Sequence, residues 1–178
     1  MADNATLEYI VLGFLGYGEA TGYELKQHIC NSVGNFYSAS YGSIYPILKK
    51  LEEKALATSR ECVERGKQKK IYSLTDAGRA AIIQWLMVVP KTMGCEMLVK
   101  MQFYHFLNRE QITSLISQFI PNLIEQKENL ERIYEGFADT DPIKFGTLQF
   151  GCDNYRFLIE WFQTYLRRVE ESGDFGDS

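Results

Sequence analysis

Pro46 stands inside a stretch, residues 40–54, that otherwise reads as a helix. A helix tolerates proline in its first turn, where the backbone N–H groups have no partner within the helix. The spacing therefore predicts a helix start at about Tyr41–Ser43, with Ser40 or Ser43 available as N-cap. From that origin Ile44, Ile47, Leu48 and Leu51 form one inward apolar stripe. Tyr41, Tyr45 and Lys49 recur every four residues on another face, with Gly42 beside them.

The flanking segments fit around this helix. Residues 7–15 predict a short apolar helix stopped by Gly16 and Gly18. Thr21 and Glu24 have capping-box spacing, so a second helix should run from there to about Cys30 or Asn31. Beyond residue 56 the period changes to two. Residues 57–63 and 69–74 predict two strands joined by a glycine-bearing turn, Glu64–Gln68. Arg65, Lys67, Lys69 and Lys70 cluster at and just past that turn. Thr75 and Asp76 then cap a helix to about Val88, closed by Pro90.

The second half predicts two long helical regions. One covers about 95–136, with Pro121 as its expected kink or break. A turn spans 136–142, a helix covers 143–171, and the tail is expected to fray. In the last helix Phe145, Leu148, Cys152, Tyr155, Ile159, Phe162, Leu166 and Val169 alternate steps of three and four, the seam of a coiled coil. Phe150, Phe157, Leu158 and Trp161 flank the seam, so the helix needs more than one neighbour.

Composition sets limits on function. The chain has 178 residues, 46% of them hydrophobic, enough for a packed core, and a net charge of −4. Any nucleic-acid partner would have to meet a local basic patch. Residues 1–90 carry 10 basic and 9 acidic side chains, whereas residues 91–178 carry 9 and 14, so the acidity sits in the second half. No apolar run approaches the roughly 18–20 residues of a membrane span, and the N-terminus lacks signal-peptide character. The four cysteines are far apart, and neither they nor His28 and His105 have ligand spacing, so reduced thiols, no metal and a cytoplasmic setting are expected. No phosphate loop or HExxH motif points to catalysis, and no cofactor is expected.

Three helices, a basic hairpin and a fourth helix make the outline of a winged helix-turn-helix. The third helix of such a unit enters a DNA major groove, its N-terminal residues nearest the base edges. The early amides near Tyr41–Ser43 could meet phosphate, and Tyr45 and Lys49 lie further along the same face. The hairpin supplies cations for phosphates. Each piece has a plainer reading, Tyr45 as a core aromatic and Arg65–Lys70 as a solvated turn. Their joint order favours DNA.

These residues resemble the PadR family of bacterial transcriptional regulators. Thr21-Gly-Tyr-Glu-Leu25, Gly42-Ser-Ile-Tyr-Pro-Ile-Leu48, Leu51-Glu52, Arg65-Gly-Lys67, Lys70-Ile-Tyr-Ser-Leu-Thr75 and Ala77-Gly-Arg79 carry the likeness, over residues 7 to about 88. The rest resembles, by layout, the longer members with an appended helical dimerisation region. The resemblance implies a mainly α protein. Residues 1–90 would be the winged helix-turn-helix domain, and residues 91–178 a helical dimerisation and possible effector domain. It also implies a homodimeric repressor on a palindromic double-stranded operator, relieved by a small molecule. By the same analogy Tyr41, Gly42, Ser43, Tyr45, Lys49, Arg65, Lys67 and Lys69 would face DNA, and the seam of the last helix would join subunits. The wing here uses lysines, with Glu61 and Glu64 nearby, so it should hold phosphates more than read bases.

An apolar or aromatic effector would have Trp85, Met93, Met97, Met101, Tyr104 and Trp161 as candidate lining, although such residues at helical spacing also read as plain core. The alternative to DNA binding is a winged-helix adaptor whose third helix and wing meet a protein.

Overall fold

The computed structural model describes residues 4–35, 44–64, 67–91, 93–135 and 142–172. They form two compact units, one of residues 1–88 with 95–104 and the other of residues 89–94 with 105–178. The sequence-based division at residue 90 placed residues 95–104 with the second half; in the fold they pack with the first.

In the first unit, α1 (Asn4–Leu15) is the central rod. Its apolar run leaves Leu7, Ile10, Val11 and Leu12 buried. α2 (Gly22–Asn31) starts as its sequence demands: Thr21 accepts from the Glu24 amide, and the Glu24 carboxylate accepts from the Thr21 amide. α3 (Ile44–Glu53) buries Ile44, Ile47, Leu48 and Leu51, the expected stripe. Its described part begins at Ile44, which puts Pro46 in the first turn. The cap proposed at Ser40 or Ser43 lies outside the described residues.

Two residues past the end of α3, Ala55 adopts φ 56°. The Ala55 amide donates to the Glu52 carbonyl and the Leu56 amide to the Leu51 carbonyl, both at 2.9 Å. This paired closure stops the helix and turns the chain into β2 (Ala57–Glu64). β3 (Lys67–Leu74) pairs with β2 from Ala57↔Leu74 to Glu64↔Lys67. A third strand, β1 (Ala20–Thr21), pairs with β3 at Tyr72 and Ile71 on the other side. The sequence reading had only the two-stranded hairpin. Thr75 caps α4 (Asp76–Leu86), accepting from the Gly78 amide at 3.0 Å.

α5 (Cys95–Gln102) completes this unit. Phe103 packs where a Cβ on Gly13 would intrude, and its ring meets Phe14 edge-on at 5.3 Å. Lys100 is almost fully buried. Its Nζ donates to the Val88 carbonyl, pairs with Glu96 at 3.1 Å and sits 4.8 Å from the centre of the Trp85 ring. Burial lowers the Lys100 pKa, and Glu96 acts against that shift.

The second unit is a helical hairpin of α6 (Arg109–Glu135) and α7 (Pro142–Glu171). The contacts fix it as antiparallel: Leu130 lies against Gly151, Phe119 meets Phe162 at 5.1 Å, and Arg109 donates to the Ser172 carbonyl. Two sequence expectations are corrected here. The region 95–136 does not break at Pro121, which lies inside α6 on its exposed side. The break comes at residues 103–108, where Asn108 and Gln111 exchange two 2.9 Å hydrogen bonds, each side chain taking the other's amide. That reciprocal cap starts α6 more decisively than an outward-facing proline interrupts it.

Candidate nucleic-acid interface

The sequence of α3 decides which of its faces is left for a ligand. With four large aliphatic residues directed into the core, Tyr45 and Lys49 are left on the exposed side. Tyr45 is 60% exposed. Its ring lies against the start of α2, where a Cβ on Gly22 would come within 2.7 Å of it. Glycine at 22 thus lets the tyrosine settle against α2. Lys49 is exposed and only loosely paired with Glu53, at 3.9 Å.

The next two lysines, one on α3 and one just past its end, are held differently. Lys50 and Lys54 both donate to Glu8 of α1, the latter at 2.9 Å. Glu8 is a carboxylate in an otherwise apolar helix face, and these two cations are what make its burial tolerable. They also tie α3 to α1, so the outward face of α3 is presented at a fixed roll.

Beside Tyr45 lies an open groove of about 380 Å³, lined by Thr21, Gly22, Tyr23, Glu24, Tyr45, Gln68, Lys69, Lys70 and Tyr72. It joins the start of α2, the outward face of α3 and the hairpin. Lys69 is exposed on β3. Lys70 is drawn to Glu52 at 2.8 Å and lies over the Tyr72 ring. Of the residues expected to face DNA, the structure therefore brings Tyr45 and Lys69 to one groove and places Lys49 on the same helix. Lys67 opens β3. Tyr41, Gly42, Ser43 and Arg65 lie outside the described residues.

The residues proposed for an effector pocket divide between the units. Trp85, Met97, Met101 and Tyr104 belong to the first, Met93 and Trp161 to the second. Trp85 stacks on Tyr9 at 4.8 Å, and the Tyr104 hydroxyl reaches the Met97 sulfur at 3.9 Å in a buried contact. Trp161 is exposed and stacks on Tyr165.

The seam of α7 is also mixed. Cys152, Phe162 and Val169 are buried within the chain, and Leu148, Tyr155, Ile159 and Leu166 are half-buried. Phe119 of α6 already meets Phe162. Among the described residues, the large apolar side chains left outward on α7 are Phe150, Phe157 and Trp161, which the sequence reading placed beside the seam and not in it.

Sequence reasoning missed three carboxylates with structural roles: Glu8, Glu19 and Glu52. Only the isolated acid at position 8 of an apolar helix left a readable signal. These three and Glu24, whose capping role the sequence predicts, all have lowered pKa values. Burial alone would raise that of Glu8, but the hydrogen bonds and charges of Lys50 and Lys54 outweigh it. The causes are the Arg60 and then the Ser73 hydrogen bond for Glu19, the Thr21 amide for Glu24, and Lys70 then Ser59 for Glu52. A carboxylate lowered on folding stabilises the fold above its ordinary value near 4.5, and that contribution disappears as pH falls through the folded value. Urea midpoints measured from pH 7 down to 3.5 should stay level to about pH 5 and then fall. Glu8→Gln should flatten the fall.

The comparisons with known proteins divide the chain between residues 84 and 95. Residues 11–84 match the family model described as the transcriptional regulator PadR-like family, and residues 95–170 match that of the virulence activator alpha C-terminal region. The negative transcriptional regulator PadR of Bacillus subtilis is 28% identical over 93% of this chain and 98% of its own. The transcriptional regulator YqjI of Escherichia coli is 40% identical over 45% of this chain and 35% of its own. A crystal structure of Bacillus subtilis PadR in complex with operator DNA superposes with a TM-score of 0.46 at 28% identity, covering 92% of this chain and 98% of that one.

Proposed function

The chain belongs to the PadR-like family of transcriptional regulators, and we propose on that footing that it is a dimeric repressor of double-stranded DNA. Tyr45 and Lys49 of α3 would meet the major groove, and the lysines of the β2–β3 wing would meet phosphates. The observation that carries the reading is the sidedness of α3. One face is fully committed to the core, and the opposite face offers a tyrosine and a lysine beside a groove that the wing helps to line.

Residues 91–178 would provide the subunit interface through α7. A palindromic operator would then present half-sites about 10 bp apart, or a multiple of that. The name of the Bacillus subtilis relative supports the negative sense of regulation. An apolar or aromatic small molecule would relieve binding by preferring one arrangement of the two heads. Its candidate contacts within the first unit are Trp85, Met97, Met101 and Tyr104. Among the described residues no helix is long and apolar enough to cross a membrane, which fits a regulator acting in the cytoplasm.

Anisotropy titration on the protein's own promoter tests the reading. Tyr45→Ala and Lys49→Ala should each weaken binding at least about 10-fold with an unchanged melting temperature, the loss of roughly one good contact. Wild-type affinity should fall steeply between 50 and 200 mM salt. Unchanged affinity in both variants would remove this recognition face. A flat salt response would favour a protein partner for the same surface.

A further inference from the structure

The wing is longer than its support. β1 pairs with β3 only at Tyr72 and Ile71. Among the described residues, the rows from Glu61↔Lys70 to Glu64↔Lys67 have no third strand beside them, and Val63 in this part is 71% exposed. A two-stranded ribbon by itself is marginally stable and twists freely. Something must therefore hold it at its foot if it is to keep one direction.

Two carboxylates do so, from opposite faces. Side chains alternate along a strand, so Ser59, Tyr72 and Lys70 share one face of the hairpin, and Arg60, Ile71 and Ser73 share the other. On the first face Glu52 of α3 accepts from Ser59 of β2 and from Lys70 of β3. On the second face Glu19, in the turn after α1, accepts from Arg60 of β2 and from Ser73 of β3, both at 2.7 Å. Each carboxylate therefore spans both strands, and both grip the hairpin at or next to its last supported rows.

We infer that Glu52 and Glu19 are positioning residues for DNA recognition, pinching the foot of the wing so that the wing and α3 approach a duplex as one rigid unit. The inference rests on the DNA-binding reading for its purpose and on geometry alone for its mechanics. Exposed ion pairs of this kind add little to global stability. Arg60 and Glu19 are both at least half exposed. Their effect is on direction, because the same carboxylate holds both strands at once. Glu52 also lies on the recognition helix itself, so any roll of α3 is passed to the wing. Lys70 is thereby held back at the wing's foot.

The test uses the full-length Glu19→Gln/Glu52→Gln double variant. Amide hydrogen exchange of residues 61–63 and 68–70 should quicken at least about 10-fold, with exchange in α1 and α4 unchanged. On DNA the preference for the protein's own promoter over unrelated duplex should fall at least about 10-fold. Binding to unrelated duplex should hold or rise, since two negative charges near the phosphates are gone. Hairpin exchange equal to wild type would overturn the clamp whatever the DNA result. Quickened exchange with an unchanged promoter preference would overturn its role in recognition. If the wild type itself showed no promoter preference, the DNA-binding reading would fall, and quickened exchange would still establish the brace.

Discussion

Gly78→Ala should be the most damaging single-methyl change in the first unit, lowering its unfolding free energy by about 3 kcal/mol or more. α4 begins directly over the turn that joins α3 to β2. The Thr75 hydroxyl donates to the Ala55 carbonyl at 2.8 Å while accepting from the Gly78 amide, and the Thr75 amide donates to the Leu56 carbonyl. This mesh of backbone contacts brings the helix so close that a Cβ on residue 78 would lie 2.0 Å from the Leu56 carbonyl oxygen. The obstacle is backbone, held in place by its own hydrogen bonds, so no rotamer change relieves it. Alanine's better helix propensity returns only about 1 kcal/mol. Thermal unfolding should show a drop of about 10 °C. Ala80→Ser, on the exposed side of the same helix, should stay within about 0.5 kcal/mol of wild type. Equal midpoints for Gly78→Ala and wild type would mean that α4 can lift off the turn at little cost. The position of the wing, which leaves the same turn, would then be much less fixed than argued above.

What could be read in the sequence was what is decided locally. The Thr21–Glu24 box, the Thr75 cap and the buried stripe of α3 each depend on residues within one or two turns of each other. Their spacing alone determined them. β1 was missed because two residues carry no period; Ala20 and Thr21 are a strand only because Tyr72 and Ile71 lie beside them. The cap formed by Asn108 and Gln111 was legible in principle, and Pro121 drew attention away from it. The clamp residues were invisible for a different reason. Glu19 and Glu52 look like ordinary surface acids until the fold brings Arg60, Ser73, Ser59 and Lys70 to them from other elements. A heptad pattern has its own ambiguity. It states that one face of α7 is covered, and it does not state by what. Here α6 covers much of the seam, and a different set of aromatics is left outward.

That set carries the second large expected effect. Phe150, Phe157 and Trp161 are 72%, 60% and 41% exposed, and they recur at steps of seven and four along α7. Three large aromatics on one helix are unusual cargo for solvent, and if a second copy covers them they would be the central anchors of the interface. Phe157→Glu/Trp161→Glu should then turn a dimer into a monomer, weakening self-association by about 1,000-fold or more, since losing two such anchors costs roughly 4 kcal/mol or more. Sedimentation velocity across a concentration series reads this directly. Promoter affinity should fall with it by about 100-fold or more, because two linked heads engage two half-sites far better than separate ones. Phe162→Ala serves as the contrast. Its ring lies against Phe119 inside the α6–α7 hairpin, so its loss should cost about 3–5 kcal/mol of folding stability. The two variants therefore separate the faces of one helix: the outward pair should leave the hairpin folded and split the subunits, and the inward residue should loosen the hairpin itself. A double glutamate variant that still sediments as a dimer would return the interface to the half-buried seam residues Leu148, Tyr155, Ile159 and Leu166.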